Sequence, residues 1–128
     1  DSGLKSIRKC ERLKEIDLSN RIGVGNRTLK ILCKISSLTS VSVAFTKISD
    51  SGVSYLEKMK NLSILNVAGC KLLTDRFFSL VDEVTTLKSL TLDDCETMTF
   101  EGMKFLISLG NLTYISLKRV FFISSISY

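Results

Sequence analysis

The stretch Leu62-Ser63-Ile64-Leu65-Asn66-Val67-Ala68-Gly69-Cys70-Lys71-Leu72-Leu73-Thr74-Asp75 decides the fold. Apolar residues stand at its first, fourth, sixth and twelfth places, with a cysteine at the ninth, and the spacing recurs along the chain. Copies begin with Leu13-Lys14-Glu15-Ile16-Asp17-Leu18, Leu38-Thr39-Ser40-Val41-Ser42-Val43, Leu87-Lys88-Ser89-Leu90-Thr91-Leu92 and Leu112-Thr113-Tyr114-Ile115-Ser116-Leu117. Successive starts, at residues 13, 38, 62, 87 and 112, lie 25, 24, 25 and 25 residues apart. A fixed period of this size marks a stacked solenoid, because one unit cannot bury its own apolar face.

Inside each unit the fourth and sixth places alternate with polar neighbours, as in Glu15-Ile16-Asp17-Leu18. That is the period of a half-buried strand. Further on, the spacing changes to threes and fours: Leu29, Leu32 and Ile35; Val53, Leu56 and Met59; Met103, Leu106 and Leu109. That is a short amphipathic helix. Capping residues and acids precede it in Ser49-Asp50-Ser51-Gly52, Thr74-Asp75 and Thr99-Phe100-Glu101-Gly102, where free helix amides point. Parallel strands backed by helices therefore stack into a wedge-shaped α/β solid, with an inner strand face only about 20 Å long at roughly 4.8 Å per strand.

The pattern Leu-x-x-Leu-x-Leu-x-x-Cys-x-x-Leu-Thr-Asp, nearly whole from Leu62 to Asp75 and again from Leu87 to Thr99 with Met98 in a leucine slot, resembles the cysteine-containing class of leucine-rich repeats. The resemblance implies a right-handed leucine-rich-repeat solenoid, a short curved arc with parallel strands on the concave face and helices on the convex face. It also implies an intracellular protein-binding module. Members of this kind include substrate-recognition arms of F-box ubiquitin-ligase adaptors, mitochondrial assembly or coupling factors, and trypanosome proteins proposed to regulate adenylate cyclase. Arg21, Thr46 and Val120 depart from the pattern at the ninth place of the first, second and fifth units.

At 128 residues, 45% of them hydrophobic, the chain is one domain's worth and can bury a continuous core. No apolar run approaches the roughly 18 residues of a membrane span. The net charge of +5 resides in residues 1–34, where nine Lys and Arg face four Asp and Glu. Such a segment suits an anionic partner, nucleic acid among them, but no basic stripe interleaved with aromatics follows it, which favours a solvated face. Cys70 and Cys95 share the inward ninth place and form a ladder of buried thiols before they form a bridge. Reduced cysteines point to a cytoplasmic or organellar interior. Three sequons, Asn26-Arg27-Thr28, Asn61-Leu62-Ser63 and Asn111-Leu112-Thr113, pull the other way, the last two as by-products of the repeat's own Asn-Leu joint.

Residues 1–12 read as the helix half of an incomplete repeat, since Asp1-Ser2-Gly3-Leu4 aligns with Asp50-Ser51-Gly52-Val53. The expectation is a single domain that forms part of a longer array. The tail over 120–128, Val120-Phe121-Phe122-Ile123 followed by Ser124-Ser125-Ile126-Ser127-Tyr128, is apolar and strand-prone, suited to cap the open end or to contact another subunit.

Chemistry has little to work with. The chain has no histidine, which removes the commonest general base and most triads. Gly23-Val24-Gly25-Asn26 lacks the Lys-Ser/Thr of a phosphate loop. Asp93, Asp94 and Glu96 cluster around Cys95 without the spacing of a cation loop. Neither catalysis, cofactor nor metal is expected. Binding is: outward strand residues form a readable surface, from which Glu15, Asp17, Phe45, Asn66, Thr91, Asp93, Asp94, Tyr114, Lys118 and Arg119 are the candidate partner contacts. Phe45 and Tyr114 are the anchors in this reading, small residues between them leave room for a protruding segment, and the charges fix orientation. Phe77, Phe78 and Phe105 are expected to fill the helix side of the core.

Overall fold

The computed structural model describes residues 12–108 and 110–120, without the side chains of residues 100, 103, 107 and 108. Each unit supplies one short strand: β1 (Glu15–Asp17), β2 (Ser40–Ser42), β3 (Ile64–Asn66), β4 (Ser89–Thr91) and β5 (Tyr114–Ser116). They make one five-stranded parallel sheet in chain order. The register joins equivalent places, Ile16 to Val41, Val41 to Leu65, Leu65 to Leu90 and Leu90 to Ile115. A slip of one residue would turn this apolar row to solvent, so burial holds the register.

Helices lie on the other side of the units: α1 (Asn26–Leu32), α2 (Asp50–Val53), α3 (Arg76–Val81) and α4 (Phe100–Ser108). A 3₁₀ segment over Ser54–Lys58 continues α2. It falls in the one unit of 24 residues. A 3₁₀ helix rises about 2.0 Å per residue against about 1.5 Å for an α-helix, so it covers the distance with fewer residues.

The core runs unbroken between the two layers. Leu29, Leu32, Ile35, Val53, Leu56 and Met59 are buried from the helix side and Val41, Leu65 and Leu90 from the sheet. Phe77 and Phe78 meet edge to face at 5.7 Å within it. Phe105 does not join them, contrary to the sequence reading: it is 48% exposed. Its neighbour Leu106 takes the inward position, one residue round the helix, and packs against the core. The side chains of Met103 and Leu109 lie outside the described residues, as do the first eleven residues, with Cys10 and most of the expected half-repeat, and the tail beyond Val120.

Polar joints bind each unit to the next. The Asn26 amide accepts from Ser49 N at 2.8 Å and donates to Ser49 Oγ at 2.8 Å. Asp50 accepts from the backbone and hydroxyl of Thr74, and Asp75 from those of Thr99. Thus a side chain at or just before the start of one helix, Asn26, Asp50 or Asp75, accepts from the residue that leads into the next helix. A Cβ on Gly52 would overlap Asn26, and one on Gly102 would overlap Asp75, so glycine permits this approach. A second joint ties the helix exits: Asn61 Nδ2 donates to Ser36 O at 2.8 Å and Asn111 Nδ2 to Thr85 O at 2.7 Å. The side-chain amide nitrogens of all three sequons are therefore engaged in joints between units.

Candidate binding surface

Opposite the core, the sheet presents its outward residues in rows. Glu15, Ser40, Ile64, Ser89 and Tyr114 align in one row; Asp17, Ser42, Asn66, Thr91 and Ser116 in the next. Tyr114 is 56% exposed and Ile64 45%. Beyond the strands, Ala44 and Ala68 lie flush and buried, leaving a shallow stretch mid-face.

Many of the candidate polar residues spend their hydrogen bonds within the protein. Asp17 Oδ1 accepts from Ser19 N at 3.0 Å, and its hydrogen bonds with Ser19 hold the carboxyl below the usual range. Asn66 Oδ1 accepts from Ala68 N at 3.0 Å. Asp93 Oδ1 accepts from Ser116 Oγ at 2.6 Å and Lys118 N at 2.8 Å. Arg119 grips Asp94 through Nε at 2.6 Å and Nη2 at 3.0 Å, a bidentate pair that lowers the carboxyl's pKa and raises the guanidinium's. Asp93 and Asp94 therefore turn to different partners, and among the described residues no group of three or more His, Cys, Asp or Glu is placed to hold a metal. Glu15, Thr91, Tyr114 and Lys118 are the candidates whose side chains form no hydrogen bond among the described residues.

Phe45 belongs to the rim where each strand leaves the sheet. The five equivalent residues, Asn20, Phe45, Gly69, Asp94 and Arg119, all have positive φ, between 56° and 65°. Asn, Asp and Gly adopt this left-handed turn readily, but Phe and Arg do so at a cost. The Phe45 ring lies over Gly69, where a Cβ would overlap it, and remains 49% exposed. With Thr46, Lys47, Lys71 and Leu72 these two residues line an open groove of about 430 Å³. The repeated positive φ was not read from the sequence; Asn20, Gly69 and Asp94 at one slot were the available signal.

Behind the rim runs the ninth-place ladder. Thr46 Oγ1 donates to Val43 O at 2.6 Å, Cys70 Sγ to Val43 O at 3.2 Å and Cys95 Sγ to Val67 O at 3.4 Å. Burial raises both thiol pKa values, that of Cys95 to about 11. Cys33, Cys70 and Cys95 are free thiols. Thr46, a departure from the repeat pattern, thus puts a hydroxyl in the cysteine's place that bonds within its own unit and shares Val43 O with Cys70 of the next. Arg21, at the first unit's ninth place, is exposed instead. The basic residues of the first unit, Lys14, Arg27, Lys30 and Lys34, are also exposed. No described helix is long and apolar enough to cross a membrane.

The Leucine Rich repeat family model matches residues 34–56. The chain is similar in structure to the C-terminal domain of tropomodulin from Caenorhabditis elegans, with a TM-score of 0.73 and 18% identity over 91% of this chain and 81% of that one. It is also similar to the internalin InlF of Listeria monocytogenes, with a TM-score of 0.71 and 21% identity over 97% of this chain and 38% of that one. No curated protein matches the chain in sequence. At these identities the shared property is the fold: parallel strands and backing helices in a short leucine-rich-repeat solenoid.

Proposed function

We propose that this leucine-rich-repeat protein is a non-catalytic binding module that grips another protein on its strand face. The observation carrying the reading is that face itself: five strands in register, with Glu15, Ile64 and Tyr114 exposed along one aligned row. Aromatic and apolar anchors on a rigid support suit protein recognition, since little conformational freedom is lost on contact. Among the charged candidates, Glu15 and Lys118 offer side chains for a partner, whereas Asp17, Asp93, Asp94 and Arg119 support the surface from within. The free, buried thiols favour a reducing interior as the site of action.

Photo-crosslinking tests this directly. A photoreactive residue at Ser40 or Ser89, on the strand face, is expected to capture a defined partner that one at Glu83, on the exposed helix side, does not. Equal capture from both sides, or none, would rule the reading out. Mass spectrometry of the captured species also separates finer roles: a cullin scaffold supports the ubiquitin-ligase arm, a megadalton particle a structural subunit, and a cyclase a regulator. Binding of nucleic acid through residues 1–34 would instead weaken steeply with salt.

A further inference from the structure

We infer that the rim groove between the second and third units is a docking site for a peptide segment that carries an apolar side chain beside carboxylates. The inference deepens the protein-binding reading and names a place and a partner chemistry for it.

Phe45 is the starting point. Of the two residues that occupy the left-handed rim turn against their preference, Arg119 offsets the cost through its bidentate pair with Asp94. Phe45 has no such bond. Its ring rests on Gly69, so one face is packed while the ring as a whole stays half exposed. Leu72, 56% exposed, adds a second apolar wall. An aromatic plate and a leucine around an open groove form a pocket for an apolar side chain.

Charge defines what stands beside that side chain. Lys47 and Lys71 line the same groove, are exposed, and form no ion pair among the described residues. Lys71 contributes to the field on Asp94, but that carboxylate is already gripped by Arg119. In the fourth unit, Glu96 follows the ninth place as Lys47 and Lys71 do in theirs, so the positive strip stops there. An apolar pocket flanked by two exposed ammonium groups that form no ion pair among the described residues is complementary to an acidic peptide, and repels a basic one.

The probe is a fluorescein-labelled synthetic peptide in which leucine and phenylalanine alternate with glutamates, titrated by fluorescence polarisation against the full chain. Two control peptides replace the glutamates with lysines or the apolar residues with alanines. The protein variants are Phe45→Asn, which installs the residue the first unit uses at this turn and so keeps the backbone, and the double change Lys47→Glu with Lys71→Glu. Each variant is expected to bind the acidic peptide at least about ten-fold more weakly, the scale of one lost anchor. The charge-reversed protein is expected to bind the lysine peptide instead, which a misfolded variant would not do. Unchanged affinity in the variants, no binding by wild type, or binding of a single-stranded oligonucleotide lost in the same variants would each overturn the proposal. Glu15→Lys with Tyr114→Ala separates the two readings: loss there with the groove variants intact overturns the groove site, whereas groove binding without strand-face crosslinks overturns the strand-face reading alone.

Discussion

Cys95 is the residue whose setting has the sharpest measurable consequence. A thiol is charged only when deprotonated, and burial disfavours that form, so the folded pKa lies near 11 against an ordinary 9.0. A group with a raised folded pKa contributes its full stability below the unfolded value and loses it as pH climbs towards the folded one. Stability is therefore expected to fall between about pH 9 and 11, by on the order of 2 kcal/mol for this thiol. Cys95→Thr copies the residue that Thr46 already provides in the ladder and removes the titration. In circular-dichroism melts across that pH range the wild type is expected to fall relative to the variant; parallel curves would mean the thiol is not responsible. Cys70 and Cys95 of the ladder are buried, whereas Cys33, at the end of α1, is only partly buried. Maleimide is expected to label Cys33 first among these three, and to reach the others only on unfolding.

At the scale of a strand, Leu90 and Ser89 are adjacent residues with opposite environments, one fully buried and the other partly open. Leu90→Asp places a charge in the core and is expected to abolish cooperative unfolding, a penalty on the order of 4 kcal/mol or more. Ser89→Asp is expected to stay within about 0.5 kcal/mol of wild type. Equal midpoints in urea titrations of the two would contradict the register. At the helix starts, Asp75→Ala removes the acceptor for Thr99 and is expected to cost about 1 kcal/mol, whereas Asp75→Asn keeps an acceptor, as Asn26 does for Ser49. Denaturation midpoints check the pair; an equal loss from both would show that the hydrogen bond is not the source.

These elements also show what a sequence can and cannot reveal. The strand register was legible because Ile16, Val41, Leu65 and Leu90 repeat a two-residue alternation at a fixed period, and burial allows only one face. The helix stripe was legible at Leu29, Leu32 and Ile35 for the corresponding reason. The fate of Asp93, Asp94 and Arg119 was not: each bond spans 23 to 25 residues and depends on how closely neighbouring units stack. Phe105 was misread on its apolar character alone, since the stripe of Met103, Leu106 and Leu109 already places it one residue off the core-facing line.

Across the whole molecule, stability is a sum of units and of contacts between neighbours. The central strand residues Val41, Leu65 and Leu90 are at most 1% exposed, whereas Ile115 is 37% exposed and Ile16 only partly buried. Hydrogen exchange of the 128-residue chain is thus expected to be slowest in β2 to β4 and faster in β1 and β5. Uniform protection across all five strands would instead indicate a single indivisible unit.

The cap that each helix start receives from its predecessor also bears on how an array of this kind can grow. Asp75 serves the following unit while Thr74, beside it, is served by the preceding one. A tandem duplication of residues 62–86 would carry both halves of that joint, together with Asn61's partner role passed to whatever residue ends the preceding copy. New length could enter by whole units without new chemistry at either seam, while a change that moved Asp75 out of reach of Thr99 would cost that joint its acceptor.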